Sequence, residues 1–527
     1  MLMRRGCAIA VWLVLAAGAS VAQVLPADDT ILPAVVRIDV YVDPPDLLSP
    51  WQKAGVEHVT GAGILVGRGA VLTAAHVVAD AVSIEVQSAF SAERSVAEVA
   101  YIGHECDLAL LRLEDPRFLA EVEPVPIGAT PAPGTELRIY GFPIGGESVS
   151  YSSGIVSRVQ VGTYVHSAED LLLVQTDAPV NPGNSGGPAI ASGRLAGIAM
   201  QTLEDAENIG YLVPAAVIRH FLDDVSDGRY DGFPRLGVRL QDLGSPALRE
   251  YLGMPPGTSG GLVIRVDDGG PADEVLRPGD VLLSIGGRPL ANDLTVDLPG
   301  IGRVDWSAAV RSRQIGEPIE LEWLRGGERR RARIELTPHR PLVPGRHTAE
   351  VPRYFVFGGI LFQPLSYEYL RDYFEDPPAE LELWATDRNV VTPDRHELII
   401  IQQVLPDPVN RGYQDWADLV VETVNGVRPR DLDALAELVD TATGEWLAIE
   451  VGDGRRMVLP LAEARAARER ILRNFGLDDD RSPDLRRRSP GPADRPNAPA
   501  DRGDRRKPRR AGSAGEAGPR GPAGTGA

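Results

Sequence analysis

Ser185 lies in the stretch Asn181-Pro182-Gly183-Asn184-Ser185-Gly186-Gly187-Pro188, and a serine in that setting suits an acyl-transfer nucleophile. The glycines on either side let the backbone turn sharply and approach a substrate carbonyl. That approach brings the amides of Gly183 and Ser185 to bear on a developing oxyanion, the largest single contribution in such catalysis. Read alone, the stretch is equally a Gly/Asn/Pro turn between two strands. Two upstream segments decide between the readings. Thr73-Ala74-Ala75-His76 sets a histidine among small residues, where its imidazole can approach a partner. Cys106-Asp107-Leu108-Ala109-Leu110-Leu111 puts an acid at the head of an apolar run. A carboxylate there is costly to bury unless hydrogen-bonded, and orienting an imidazole supplies the bond. His76, Asp107 and Ser185 thus follow one of the chain orders in which the serine triad recurs.

Other reactive groups read as structural. His58, His166 and His220 are taken as satisfied histidines, and Cys106 as packing. His104, Glu105, Cys106 and Asp107 invite a metal reading, but adjacent strand residues point to opposite faces, so one ion could not easily take all four. No metal or other cofactor is expected.

These groups need a scaffold of strands. From Ile31 to residue 202 the chain reads as short β-rich runs broken by turns, among them AVVRIDVYV, GAGILV, LALLRL, LLLVQT and RLAGIAM. Closely spaced short strands predict an all-β sandwich or barrel. Val217, Ile218, Phe221, Leu222 and Val225 follow at helical spacing, a face that can pack back on the strands. Asp227 to Asp231 reads as a linker.

With T-A-A-H, D-L-A-L-L and G-N-S-G-G-P on the page, the chain resembles the trypsin-like serine proteases of the HtrA/Deg family. Gly141-Phe142-Pro143-Ile144-Gly145-Gly146, Ser153-Gly154-Ile155-Val156-Ser157-Arg158 and Asn208-Ile209-Gly210-Tyr211-Leu212-Val213-Pro214 resemble family segments in the same order. The resemblance implies two six-stranded barrels with the active site between them. It also implies Ser185 as nucleophile, His76 as base, Asp107 as orienting acid, and Gly183 and Ser185 as the oxyanion hole. In trypsin-like enzymes an acid six residues before the serine selects basic side chains; here that position is Pro179. Val180 with Ile209, Gly210, Tyr211 and Leu212 suggests an apolar pocket for small or medium aliphatic side chains. Asp177 reads as structural.

Leu236-Gly237-Val238 opens a second unit that runs through Gly261-Leu262-Val263 and Pro271-Ala272 to Arg277-Pro278-Gly279-Asp280-Val281-Leu282-Leu283. It resembles a PDZ domain, which binds an extended peptide by strand addition and captures its carboxylate on loop amides; Leu236, Gly237 and Val238 would form that loop. A less regular third unit starts with one strand over Tyr354–Phe362. It carries an inserted loop from Pro377 to Asp394 and a helix after Asp431, and resembles the second PDZ of plant-type Deg proteases. The insertion leaves peptide binding or assembly open as its role.

The expected fold is mainly β: a signal peptide over 1–22, a double β-barrel protease domain over 23–230, PDZ (α+β) domains over 232–340 and 350–465, and a disordered basic tail over 481–527. Arg4 and Arg5, the apolar run Ala8–Ala17 and Ser20-Val21-Ala22 read as a cleavable secretory leader, with an uncleaved anchor as the alternative. Cleavage after Ala22 would leave Cys106 as the only cysteine, so no internal disulfide is available. The net charge of −20 conceals a leader of +2 and a tail of +7, leaving the body at −29, which argues against nucleic acid as partner. The expectation is an exported, periplasmic-type endopeptidase for unfolded or peptide substrates, oligomeric by resemblance, with no stable membrane span once cleaved. A holdase chaperone and a regulatory protease that cuts one envelope protein are the alternatives.

Overall fold

Apolar runs between residues 35 and 214 close into two antiparallel barrels in a computed structural model, which describes residues 30–115, 117–143, 148–181, 183–202, 209–346 and 351–488. The leader, and the tail beyond residue 488, lie outside the described residues. The first barrel takes β1 (Val35–Val42), β2 (Glu57–Gly67), β3 (Ala70–Thr73), β4 (Ala81–Ser88), β5 (Arg94–Gly103) and β6 (Leu108–Leu113), closed in the order β1-β2-β3-β6-β5-β4. The second takes β7 (Glu136–Gly141), β8 (Ser150–Tyr164), β9 (Glu169–Thr176), β10 (Pro188–Ala191), β11 (Arg194–Thr202) and β12 (Gly210–Pro214), closed as β10-β11-β12-β9-β8-β7. Closure removes the sheet edges and buries the branched side chains, Val36, Ile38, Leu72 and Leu111 in one barrel and Ile139, Val174 and Leu212 in the other. A single-turn helix, α1 (Ala75–Val78), follows β3. Helix α2 (Ala215–Asp224) buries Val217, Ile218 and Phe221 against the barrels.

The next unit has a sheet in the order β13-β14-β15-β19-β20, formed by β13 (Val238–Gln241), β14 (Gly261–Val266), β15 (Val281–Ile285), β19 (Pro318–Arg325) and β20 (Glu328–Glu335). The short β16 (Arg288–Pro289) pairs with β15, and β17 (Thr295–Leu298) pairs with β18 (Gly302–Asp305). Helices α3 (Pro246–Tyr251) and α4 (Ser307–Arg311) complete it. β13 is an edge strand. After Pro271-Ala272, where a PDZ-like sequence predicts a short helix, the chain makes only a turn, closed by the Leu276 N–H on the Ala272 carbonyl at 2.8 Å. Pro278 stops it, because the residue before a proline is driven out of the helical region.

In the last unit one sheet runs in sequence order through β21 (Phe355–Phe357), β22 (Ile360–Pro364), β23 (Ile399–Val404), β24 (Leu419–Val424), β25 (Trp446–Val451) and β26 (Arg456–Pro460). Around it lie α5 (Tyr367–Tyr373), α6 (Ala379–Ala385), α7 (Leu432–Asp440), α8 (Leu461–Ala466), α9 (Arg468–Phe475) and α10 (Pro483–Arg488). Three expectations change here. The single strand over Tyr354–Phe362 is a hairpin, because Gly358 and Gly359 both take positive φ (58° and 87°) and turn the chain in two residues. The inserted loop contains α6, which Leu381 anchors by complete burial.

The third change concerns where the unit ends. The sequence places its boundary at 465 and the tail from Arg481, yet the structure carries the unit on to residue 488. The Val356 N–H donates to the Asp480 carbonyl at 2.6 Å, and the Ser482 N–H to Tyr354 at 3.0 Å. Ser482 and Leu485 are buried, while Arg481 pairs with Asp440 at 2.8 Å and lies over the Phe355 ring. Composition missed this because the segment is held by a few specific partners, not by an apolar run. β22, which like β13 follows a glycine, is therefore already paired with β21, and β21 is covered in turn.

A chain ending at Asp478 should lose about 3 kcal/mol or more of the last unit's stability, since it gives up a buried leucine and several backbone bonds. A chain ending at Arg488 should stay within about 0.5 kcal/mol of the full chain. Urea denaturation of both reads the difference.

Candidate active site

Asp107 has no solvent exposure. It closes the tight turn between β5 and β6, where its φ is 51° and its N–H reaches the His104 carbonyl at 3.2 Å. Aspartate tolerates this left-handed backbone better than most residues. The carboxylate accepts the His76 backbone N–H at 2.9 Å and faces His76 Nδ1 at 3.0 and 2.8 Å through its two oxygens. Burial alone would push its pKa up, but the His76 charge and hydrogen bond win and hold it below the usual carboxylate value. His76 sits on α1 with about a quarter of its side chain exposed, 24 %. Burial opposes its charged form; the Asp107 charge and hydrogen bond outweigh that and raise it above the ordinary histidine value. With Nδ1–H spent on Asp107, Nε2 is left as an acceptor.

The serine turn is held by backbone. The Asn184 N–H donates to the Asn181 carbonyl at 2.9 Å, and Gly183 stands at φ 94°. That left-handed backbone favours glycine, which has no Cβ to clash. A Cβ on Gly183 would lie 2.2 Å from the Phe142 carbonyl oxygen, and one on Gly187 would lie 2.0 Å from that of Tyr140. The Ser185 carbonyl accepts the Ala62 N–H of β2 at 2.9 Å, which ties the serine turn to the other barrel. Gly186 and Gly187 bond to Ala199 on β11 at 2.9 and 2.8 Å. Among the described residues neither the Gly183 nor the Ser185 N–H meets an acceptor. Ser185 and His76 line one cleft of about 450 Å³. No hydrogen bond joins their side chains here, and such bonds commonly tighten only with substrate in place.

The expected pocket residues divide. Val180 lines the cleft beside Asn181 and Met200. Leu212 does not: it is fully buried in the second barrel's core with Leu137, Ile139 and Val174. Ile209 and Tyr211 are half-buried, with Tyr211 packed against the core, and neither lines the cleft. Gly210 has its place because a Cβ there would strike Val180 Cγ2 at 2.6 Å. Alternation on β12 sends Leu212 into the core and turns its neighbour Tyr211 the other way. Met200, on β11, was missed. Asp177 is spent on the Ile155 N–H at 2.7 Å. In the first PDZ-like unit Leu236 is buried, the Gly237 carbonyl accepts the Asp267 N–H at 2.8 Å, and Val238 starts β13.

Sequence reasoning also missed what surrounds the pair. His166 faces His104, Nε2 to Nδ1, at 3.0 Å, and its ring centre is 6.2 Å from that of His76. Burial lowers His166 to about 3 against the pull of Asp107, with His104, His76 and Arg346 adding to the fall. Burial, helped by Arg346, lowers His104 to about 4. Arg346 and Arg371, far away in the chain, line the same cleft. No local pattern marks any of these residues.

Residues 61–198 match the trypsin-like peptidase domain family, and residues 234–336 and 343–484 each match a PDZ domain family. The chain is 36 % identical over 463 residues to Protease Do-like 2, chloroplastic, of Arabidopsis thaliana, covering 87 % of this chain and 76 % of that protein. It is 35 % identical over 440 residues to Protease Do-like 4, mitochondrial, of the same plant, covering 83 % of each. Among solved structures it is similar to the HtrA-type protease AlgW with decapeptide, at 24 % identity and a TM-score of 0.45, over 59 % of this chain and 97 % of that one. The chain belongs to the Deg/HtrA family of serine endopeptidases, built as a trypsin-like peptidase domain followed by two PDZ domains.

Proposed function

We propose that the chain is an exported endopeptidase of protein quality control, cutting unfolded or damaged polypeptides with Ser185, His76 and Asp107. The observation that carries this reading is the pairing of buried Asp107 with His76 in a cleft that also holds Ser185. Ser185 Oγ attacks the scissile carbonyl carbon as His76 Nε2 takes its proton. The carbonyl oxygen becomes an oxyanion between the Gly183 and Ser185 N–H groups. Collapse breaks the C–N bond, His76 protonates the leaving amine, and water then releases the acyl group by the same steps. Asp107 keeps His76 in the required tautomer and steadies the imidazolium.

The space between Val180 and Met200 takes a small or medium aliphatic side chain. Extended peptide adds to the open β13 edge of the first PDZ domain, its carboxylate on the amides of Leu236, Gly237 and Val238. Subunits assemble into a trimer or larger homo-oligomer. The leader directs export, so the mature chain starts at Gln23; the relatives named above are described as chloroplastic and mitochondrial.

Wild type should digest casein after small aliphatic residues, and Ser185→Ala should lower turnover by several orders of magnitude, read by mass spectrometry of the products. Cleavage confined to Lys or Arg would overturn the pocket. If neither protein cleaves and both suppress aggregation, a holdase replaces the protease.

The pH profile tests the pair independently. Neutral His76 is the base, so kcat/KM should rise with pH through a pKa above 6.5, the ordinary histidine value. Asp107→Asn removes both causes that raise it, so the acid limb should move to lower pH while kcat falls by about 10⁴. An acid limb in the wild type at or below 6.5 would contradict the pairing.

A further inference from the structure

The cleft that holds Ser185 has three walls, and the third comes from outside the barrels. Val180, Asn181, Met200 and His166 line it from the second barrel, and Ala79 and Asp80 from the first. Arg346 and Arg371 line the same cleft from outside both barrels. Arg346 lies between β20 and β21, inside the stretch that matches the second PDZ domain, and Arg371 is on α5 of the same unit.

Both are fixed in place. The Arg346 guanidinium pairs with Asp80, four residues past His76, and with Glu368 Oε1 of α5 at 2.8 Å. Arg371 donates from Nη1 to the His166 carbonyl at 3.2 Å, while its Nε grips Asp372 at 2.6 Å. The segment is pressed so closely that a Cβ on Gly345 would lie 2.1 Å from the Ser167 carbonyl oxygen. The Pro344 and Gly345 carbonyls accept the Tyr367 and Glu368 N–H groups at 2.8 and 3.0 Å, pinning the first turn of α5.

A second attachment stops this wall from swinging away. The loop between β1 and β2 buries Leu47 among Leu342, Val343, Leu365 and Tyr369 of the second PDZ domain. Gln363 and Gln403 donate to the Leu47 and Leu48 carbonyls at 3.0 and 2.7 Å, and the Leu47 N–H donates to the Tyr373 hydroxyl at 3.2 Å. Side chains held by carboxylates and packed this way act as fixed steric elements.

We propose that the second PDZ domain serves the peptidase as the third wall of its substrate cleft, with Arg346 and Arg371 as specificity-determining residues. Their charges are already met by Asp80, Glu368 and Asp372, so the wall selects by size and not by charge. It admits an extended chain with small side chains at the subsites other than the one between Val180 and Met200. The inference rests on the assignment of Ser185 and His76 as the reacting pair.

The test uses the full chain, with Arg371→Ala as one variant and Arg346→Met combined with Glu368→Gln as another, so that the buried Glu368 carboxylate is not left alone; Asp80 keeps about a quarter of its side chain in water, 26 %. Casein products are sequenced by mass spectrometry, and diisopropyl fluorophosphate, small enough to need no wall, reports Ser185 reactivity. Each variant should be labelled within about twofold of wild type. Each should raise cleavage beside bulky residues at the outer subsites by about fivefold or more, a difference of the size a few methylenes make. The preference set by Val180 and Met200 should not change. Normal labelling with an unchanged outer profile would overturn the wall alone. Labelling lost in the variants would make the arginines part of triad assembly and also overturn it. A wild type that is not labelled at Ser185 would overturn this inference together with the mechanism beneath it.

Discussion

A carboxylate with no exposure to water is the constraint on which the site is built. An isolated charge in that position would neutralise itself by shifting its pKa, so Asp107 stays ionised only while its partners stay in place. Two of its three bonds go to the ring of His76 and one to that residue's backbone. The charge therefore fixes α1 as well as the imidazole. The left-handed turn at Asp107 delivers the carboxylate from the β5–β6 end of the first barrel. Around it, His166 and His104 remain neutral, so no second cation competes with His76 for the same carboxylate.

Ser185 belongs to the other barrel, and close backbone approach brings the two halves together. Gly61 on β2 marks the junction: a Cβ there would meet Val77 at 2.5 Å and the Ser185 carbonyl oxygen at 3.2 Å. Gly186 does the same from the serine side, where a Cβ would lie 2.2 Å from Thr73 Oγ1. These glycines are required by space, and in Gly183 and Gly186 by positive φ as well. A turn that must satisfy both conditions leaves few sequence choices, which is why the serine segment was legible from sequence.

Legibility fell away where position depends on distant partners. The barrel strands and α2 could be read from local periodicity. His76 and Asp107 stood out because small residues and an apolar run mark where each must go. Of the pocket residues expected, Val180 lines the cleft, whereas Leu212 points into the core of the second barrel. His166 looked like an ordinary core histidine, and nothing near Arg346 or Arg371 in sequence signals the cleft. Arg481 to Arg488 misled for a related reason, since a charged, proline-containing segment can still be ordered when Asp440, Tyr354 and Phe355 meet it.

The turn between β8 and β9 shows how the three domains share one position. Glu169, at its end, is half-buried against Arg235, the residue before Leu236, and Arg311 of α4 at 3.2 Å. Burial opposes that charge, yet the two guanidinium groups hold it down to about 2. His166, in the same turn, has its carbonyl held by Arg371 of the second PDZ domain and its ring against His104. Buried ion pairs add little to stability compared with a well-packed apolar contact, but breaking one by removing a partner costs about 3–5 kcal/mol. Neither PDZ domain can therefore leave this turn without either stranding Glu169 or freeing the His166 carbonyl. The geometry at His76 is in this sense a property of the whole chain, since the first barrel supplies its partner and the other domains fix the turn that packs against it.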